Sequence, residues 1–187
     1  MAHKSGFVNI IGNPNVGKST IMNVLVGERL SIITSKMQTT RHRIKGIVNG
    51  EDFQIVYSDT PGILKPNYKL QETMMKFVNT ALIDADVILY VTDVIETPGK
   101  NDEYIERIKS SEAAVIVLIN KIDLSTQDKV MELYNYWREK LPLADVYAIS
   151  ATEKFNTAPI FDRILELLPE GPAYFPKDEM TDRNERF

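Results

Sequence analysis

The sequence predicts an α/β fold, with a six-stranded, mostly parallel sheet, one antiparallel strand and helices on both faces. Three observations carry this expectation. Short runs rich in Val and Ile alternate with longer stretches of helical period. Two of these runs, 87–91 and 115–119, are almost wholly apolar, as strands become when helices cover both faces of a sheet. Finally, Asn49-Gly50 lies between apolar runs at 44–48 and 53–57, which marks a hairpin and hence an antiparallel strand.

Taken in order, 8–11 is the first strand and 12–17 a loop. A helix follows over 18–26, with Ile21, Met22, Leu25 and Val26 on one face. Residues 31–43 are polar and show no period. After the hairpin, helices are expected over 68–82, 102–110, 126–140 and 159–168, and a last strand over 145–149. Alternation of this kind implies right-handed crossovers, and it places ligands at the carboxyl ends of the strands. Any motif that binds a ligand should therefore come just after a strand.

The chain has 187 residues, enough for one domain with a core, or one domain and a short tail. There is no cysteine, which excludes a disulfide framework and a thiolate metal site. No stretch approaches the roughly 20 apolar residues of a membrane-spanning helix, and the N-terminus carries no signal or transit pattern. A cytoplasmic location is expected. A net charge of −4 argues against a broad nucleic-acid-binding surface. The local cluster of Lys36, Arg41, His42, Arg43 and Lys45 reads as a solvated loop in preference to an RNA contact.

Gly12-Asn13-Pro14-Asn15-Val16-Gly17-Lys18-Ser19 is a complete phosphate-binding loop between a strand and a helix. Its glycines let the backbone turn N–H groups inward, and the helix N-terminus adds positive potential. Asn13, Asn15, Val16, Gly17, Lys18, Ser19 and Thr20 are the expected phosphate contacts. Lys18 brings charge to the β- and γ-phosphates, and the Ser19 hydroxyl ligates Mg²⁺. Asp59-Thr60-Pro61-Gly62 follows a strand. Its carboxylate can hold Mg²⁺ through water, and the Gly62 N–H can sense the γ-phosphate.

Asn120-Lys121-Ile122-Asp123 follows the run 115–119 and speaks to the base. Guanine offers N1–H and a 2-amino group side by side, and the Asp123 carboxylate can accept from both. Adenine would leave that carboxylate unpaired, and polar sites reject such partners strongly. The Lys121 stem can lie along the base, Asn120 can brace the loop, and Ser150-Ala151 can bring a backbone N–H to guanine O6. Within 31–43, Thr39 and Thr40 are both candidates to complete the magnesium shell. An ATP-dependent enzyme on this scaffold is disfavoured by Asp123. A nucleotide-gated binding module with negligible turnover is a second alternative, and a different branch of the same nucleotide-binding class a third.

These motifs, in this order and spacing, resemble translation-factor-class GTPases, and the chain is similar to the bacterial Era family along nearly its whole length. The resemblance rests on Glu28-Arg29-Leu30-Ser31-Ile32, Gln38-Thr39-Thr40-Arg41-His42-Arg43, Asp59-Thr60-Pro61-Gly62-Ile63 with Lys65-Pro66, and Leu168-Pro169-Glu170-Gly171-Pro172. Tyr174-Phe175-Pro176, Thr181-Asp182-Arg183 and Glu185-Arg186-Phe187 extend it to the end. The stretch 153–159 departs from the family pattern in being poor in glycine.

The resemblance implies a GTP-hydrolysing switch that binds GTP and GDP with Mg²⁺. It assigns Lys18, Thr40, Asn15 and Gly62 to catalysis, with Thr40 as the switch threonine beside Ser19 and Asp59 on the metal. Ile63 stands where Ras-like proteins carry a water-orienting glutamine. Asn15 either holds a potassium ion that supplies charge to the transition state or braces the loop. The resemblance further implies a monomer, a role in small-ribosomal-subunit assembly, binding of its rRNA through a C-terminal KH domain, and peripheral membrane association in the family. Residues 1–169 are then expected to form the GTPase domain, and 170–187 a linker towards a KH domain outside this sequence.

Overall fold

A computed structural model describes residues 2–27, 30–31, 43–59, 84–99 and 101–176, with only the backbone at 30–31, 43–45, 59 and 103. The expected helix over 68–82, Thr39, Thr40, Gly62 and Ile63 lie outside the described residues, as do most of the polar stretch 31–43 and the end of the chain.

The strands are β1 (Lys4–Gly12), β2 (Leu30–Ser31), β3 (Arg43–Asn49), β4 (Phe53–Asp59), β5 (Val87–Asp93), β6 (Ala114–Asn120) and β7 (Asp145–Ala148). The helices are α1 (Lys18–Val26), α2 (Asp102–Lys109), α3 (Gln127–Lys140) and α4 (Ala158–Leu167). One sheet forms in the order β2-β3-β4-β1-β5-β6-β7. β1 lies at its centre, parallel to β4 on one side and to β5 on the other. Both β2 and β4 run antiparallel to β3, so β3 is the single reversed strand. The six expected strands are present. The seventh, β2, pairs only Leu30 with Val48 and Ser31 with Ile47. Two residues carry no alternation, so no sequence pattern announces such a strand.

Burial explains the apolar runs. All seven residues of β5 are buried. Val87, Leu89 and Val91 pack with Ile21, Leu25, Ile160 and Ile164 of α1 and α4. Ile88 and Tyr90 pack on the other face with Ile105, Ile108, Leu133 and Trp137 of α2 and α3. Each large aliphatic side chain buried in this way contributes about 1.5–3 kcal/mol relative to exposure. Helix boundaries follow local chemistry. Thr126 caps α3 by accepting from Lys129 N at 3.3 Å, and Arg138 and Lys140 complement its last turn.

Residues 169–176, which include the start of the expected linker at 170, turn back along the domain. Ser5 N donates to Pro169 O (3.2 Å) and Gly171 N to His3 O (2.9 Å), while Ser5 Oγ donates to Pro172 O. Fully buried Gln54 accepts from Tyr174 N (2.8 Å) and Phe175 N (3.1 Å) through Oε1. Its Nε2 donates to Phe175 O at 2.9 Å and to Asn49 Oδ1 at 2.8 Å. Phe175 then packs against buried Ile47 and Val56, and Tyr174 against Phe7.

Candidate nucleotide-binding site

The motif residues converge where the sheet geometry requires, at the carboxyl ends of β1, β4, β5 and β6 and just beyond β7. The phosphate loop leaves β1 at Gly12 and enters α1 at Lys18. Two of its residues are left-handed, Asn15 at φ 70° and Gly17 at φ 100°. Such kinks turn successive N–H groups towards one point, as an anion site needs. Gly17 is doubly constrained, because a Cβ there would also collide with the Asn120 side-chain amide. Gly12 has no room either: a Cβ would sit 2.5 Å from Val91 O. Lys18 Nζ donates to Gly12 O at 2.9 Å, which folds the cation over the loop. Asn15 and Ser19 are exposed, and Asn13 and Val16 are buried.

Asn120 joins this loop to Ala151, beyond β7. It is 3 % exposed. Its Nδ2 donates to Val16 O at 2.9 Å, and its Oδ1 accepts from Ala151 N at 3.0 Å. The N–H expected to meet guanine O6 is thus engaged with Asn120 here. Lys121 is left-handed, at φ 64°, and opens the 3-10 turn Ile122–Leu124. Its Nζ donates to Asn15 O at 2.5 Å. Asp123 is exposed, with one carboxylate oxygen held by Ser150 Oγ at 2.9 Å. Buried Ser150 therefore orients the carboxylate, a role beyond the backbone contact expected of Ser150-Ala151.

Three residues that the motif reading passed over complete the arrangement. Asp93, at the end of β5, pairs with Lys121 at 3.0 Å. Glu96 accepts from Asn13 Nδ2 at 2.9 Å and from Thr92 Oγ1 at 2.5 Å. All three stand at the carboxyl end of a strand, and that position was the available signal.

Of the expected metal ligands, Ser19 lies exposed in the first turn of α1, and Asp59 ends β4, in register with Ile10 of β1. Thr40 is outside the described residues. Among the described residues no cluster of three or more His, Cys, Asp or Glu could hold a metal by itself. A hydroxyl with a lone carboxylate is instead the donor set of Mg²⁺ that takes its remaining ligands from phosphates and water. A cleft of about 520 Å³ between the end of α1 and the start of α4 is lined by Leu25, Gly27, Thr157 and Phe161, and by none of the motif residues.

The chain matches the family described as 50S ribosome-binding GTPase over residues 7–121. It is 43% identical over 185 residues to the GTPase Era of Clostridium perfringens, covering 98% of this chain and 62% of that protein. The GTPase Era of Alkaliphilus metalliredigens is 44% identical over 187 residues, 100% of this chain and 63% of that protein. The chain thus spans under two thirds of the length of these relatives. A crystal structure of Era in complex with MgGDPNP and a segment of 16S ribosomal RNA superposes with a TM-score of 0.78. It is 39% identical, and the match covers 94% of this chain and 61% of that one. An Aquifex aeolicus Era variant bound to GDP and AlF4⁻ gives the same TM-score at 40% identity, over 94% and 60% of the two chains. A family match across more than half the sequence, on a fold shared with these structures, means that the chain belongs to the 50S ribosome-binding GTPases and is a homologue of the Era proteins.

Proposed function

We propose that this chain binds guanine nucleotide with Mg²⁺ and hydrolyses GTP. The observation that carries the reading is Asn120, which ties the phosphate loop at Val16 to the guanine-reading segment at Ala151. One nucleotide can then span both. Asp123 reads the base edge with its carboxylate fixed by Ser150. Lys121 braces the loop at Asn15 and lies along the base. The N–H groups of residues 13 and 15–20 hold the phosphates, and Lys18 leaves Gly12 O to pair with the β- and γ-oxygens. Ser19 and Asp59, with Thr40, hold the metal, which when bound neutralises charge on the phosphates.

Hydrolysis then rests on positioning and charge stabilisation by the chain's own groups. Asn15 is exposed at the phosphate loop, where an amide oxygen can hold potassium in place of an arginine. Gly62 N–H and Thr40 complete the γ-phosphate contacts.

We extend the reading to the longer relatives. Residues 1–169 serve as a switch domain, 170–187 lead on towards an RNA-binding KH domain, and the output is small-subunit assembly on rRNA in the cytoplasm. The RNA in the Era complex supports this extension.

The experiment is phosphate release by the purified chain with GTP or ATP and Mg²⁺, in matched potassium and sodium buffers. GTP-specific release that is faster in potassium is expected. Equal use of ATP would overturn the base assignment, and equal rates in the two salts would remove potassium from Asn15.

A further inference from the structure

We propose that Glu96 is a positioning residue for the phosphate loop, acting through Asn13. The proposal rests on the nucleotide-site reading above. Glu96 lies in the turn that follows β5, outside every recognised motif, yet both of its oxygens are committed. Oε1 accepts from Thr92 Oγ1 at 2.5 Å and Oε2 from Asn13 Nδ2 at 2.9 Å. Both donors are 3 % exposed, so this carboxylate is what meets two buried polar groups.

The turn is itself fixed. Asp93 Oδ1 accepts from Ile95 N at 2.9 Å and from Glu96 N at 2.8 Å. Its second oxygen pairs with Lys121 at 3.0 Å, and Lys121 donates to Asn15 O. A four-residue turn therefore grips the phosphate loop twice, at Asn13 through Glu96 and at Asn15 through Asp93 and Lys121.

Charge decides what Glu96 does. A carboxylate repels phosphate oxygens, so direct contact with the nucleotide is the wrong role for it. As an acceptor it is strong, because a hydrogen bond to an ionised group is worth about twice a neutral one. Anion binding by backbone N–H groups depends on a loop already held in its kinked form. Fixing the Asn13 side chain next to Gly12 anchors the start of that loop. The anchor bears on phosphate binding and leaves the base edge to Asp123. Loss of Glu96 should accordingly weaken GDP and GTP together and leave the preference for guanine over adenine intact.

The test is a set of dissociation constants for fluorescent GDP, GTP and ADP, with the unfolding midpoint of each nucleotide-free protein. The proteins are wild type, Glu96→Ala, Glu96→Gln, Asn13→Ala and the double alanine variant. Glu96→Ala should weaken GDP and GTP by about tenfold, as one charge-assisted hydrogen bond implies, with the GDP-to-ADP ratio unchanged. Glu96→Gln keeps an acceptor and should recover most of the affinity. The double variant should bind no worse than Asn13→Ala alone. Affinity within twofold of wild type in folded Glu96→Ala would overturn the proposal, even if the midpoint fell. Losses that add fully in the double variant would overturn the route through Asn13. Failure of the wild-type chain to bind GDP at all would refute the site reading itself, and this shows before any variant is compared.

Discussion

Asn120 Nδ2 lies 2.9 Å from the carbonyl oxygen of Val16, a hydrogen bond between residues 104 positions apart in the chain. The same side chain accepts from Ala151 N. One buried amide thus sets the distance between the loop proposed to grip phosphate and the loop proposed to read the base.

Asn120→Ala removes both bonds and leaves Val16 O and Ala151 N buried without these partners. GDP affinity should fall roughly tenfold to a hundredfold, since each unsatisfied group costs about 1–3 kcal/mol. Titration calorimetry measures it, and an unchanged affinity in a folded variant would refute the bridging role.

Asp123→Asn replaces an acceptor with a donor at the base edge. The variant should lose affinity for GDP and gain it for the xanthine nucleotide, whose 2-oxo group takes a donor. Competition between the two nucleotides reads the exchange directly. Because Ser150 Oγ holds the same carboxylate, Ser150→Ala should weaken GDP binding without reversing the preference.

Gln54→Ala concerns the other end of the sheet. Gln54 is wholly buried and its side chain makes four hydrogen bonds, three of them to the backbone of Tyr174 and Phe175. Its loss should cost about 2–3 kcal/mol of stability and expose the segment 170–176 to protease. Denaturant unfolding and limited proteolysis separate the two effects. A tail still protected in the variant would show that Phe175 packing holds it without Gln54.

Alkaline pH should unfold the domain through two tyrosines. Burial raises the phenol of Tyr57 above its ordinary value of 10.0, and burial does the same for Tyr90, against a hydrogen bond from Asn101. The folded state therefore holds the proton more tightly than the unfolded state does. Its contribution to stability is complete below pH 10 and is lost as pH rises above it. Tyrosinate absorbance should show two of the eight tyrosines ionising only together with loss of helical signal. Ionisation of all eight before unfolding would contradict this.

Much of the fold was legible because its signals are local. The run 115–119 reads as a strand buried on both faces, and β6 is that strand. Asn49-Gly50 marks a hairpin, and β3 and β4 form it. The strand-end rule brought Gly12, Asn120 and Ser150 to one edge of the sheet. What escaped depends on distant partners. Glu96 looks like any polar loop residue until Asn13, 83 positions away, is seen against it. Gln54 reads as a polar position in a strand, whereas it is buried because 174–175 return to cover it. Pro and Gly near 169–172 suggest departure from the domain, but they do not reveal which side chains wait to receive the chain.

That return carries a consequence for how the protein is made. Strand β1 is synthesised first, yet Lys4 bridges Glu170 and Gly171 N reaches His3 O. Its neighbour β5 is also some 80 residues away in sequence. The opening residues must wait for nearly the whole domain to emerge before their last partners arrive. Until β4 and β5 emerge, β1 is an apolar strand with unpaired edges, the kind of segment that associates wrongly. Early release of a truncated chain, or a fast elongation rate that outruns pairing of β1 with β4, should be felt at this strand before any other.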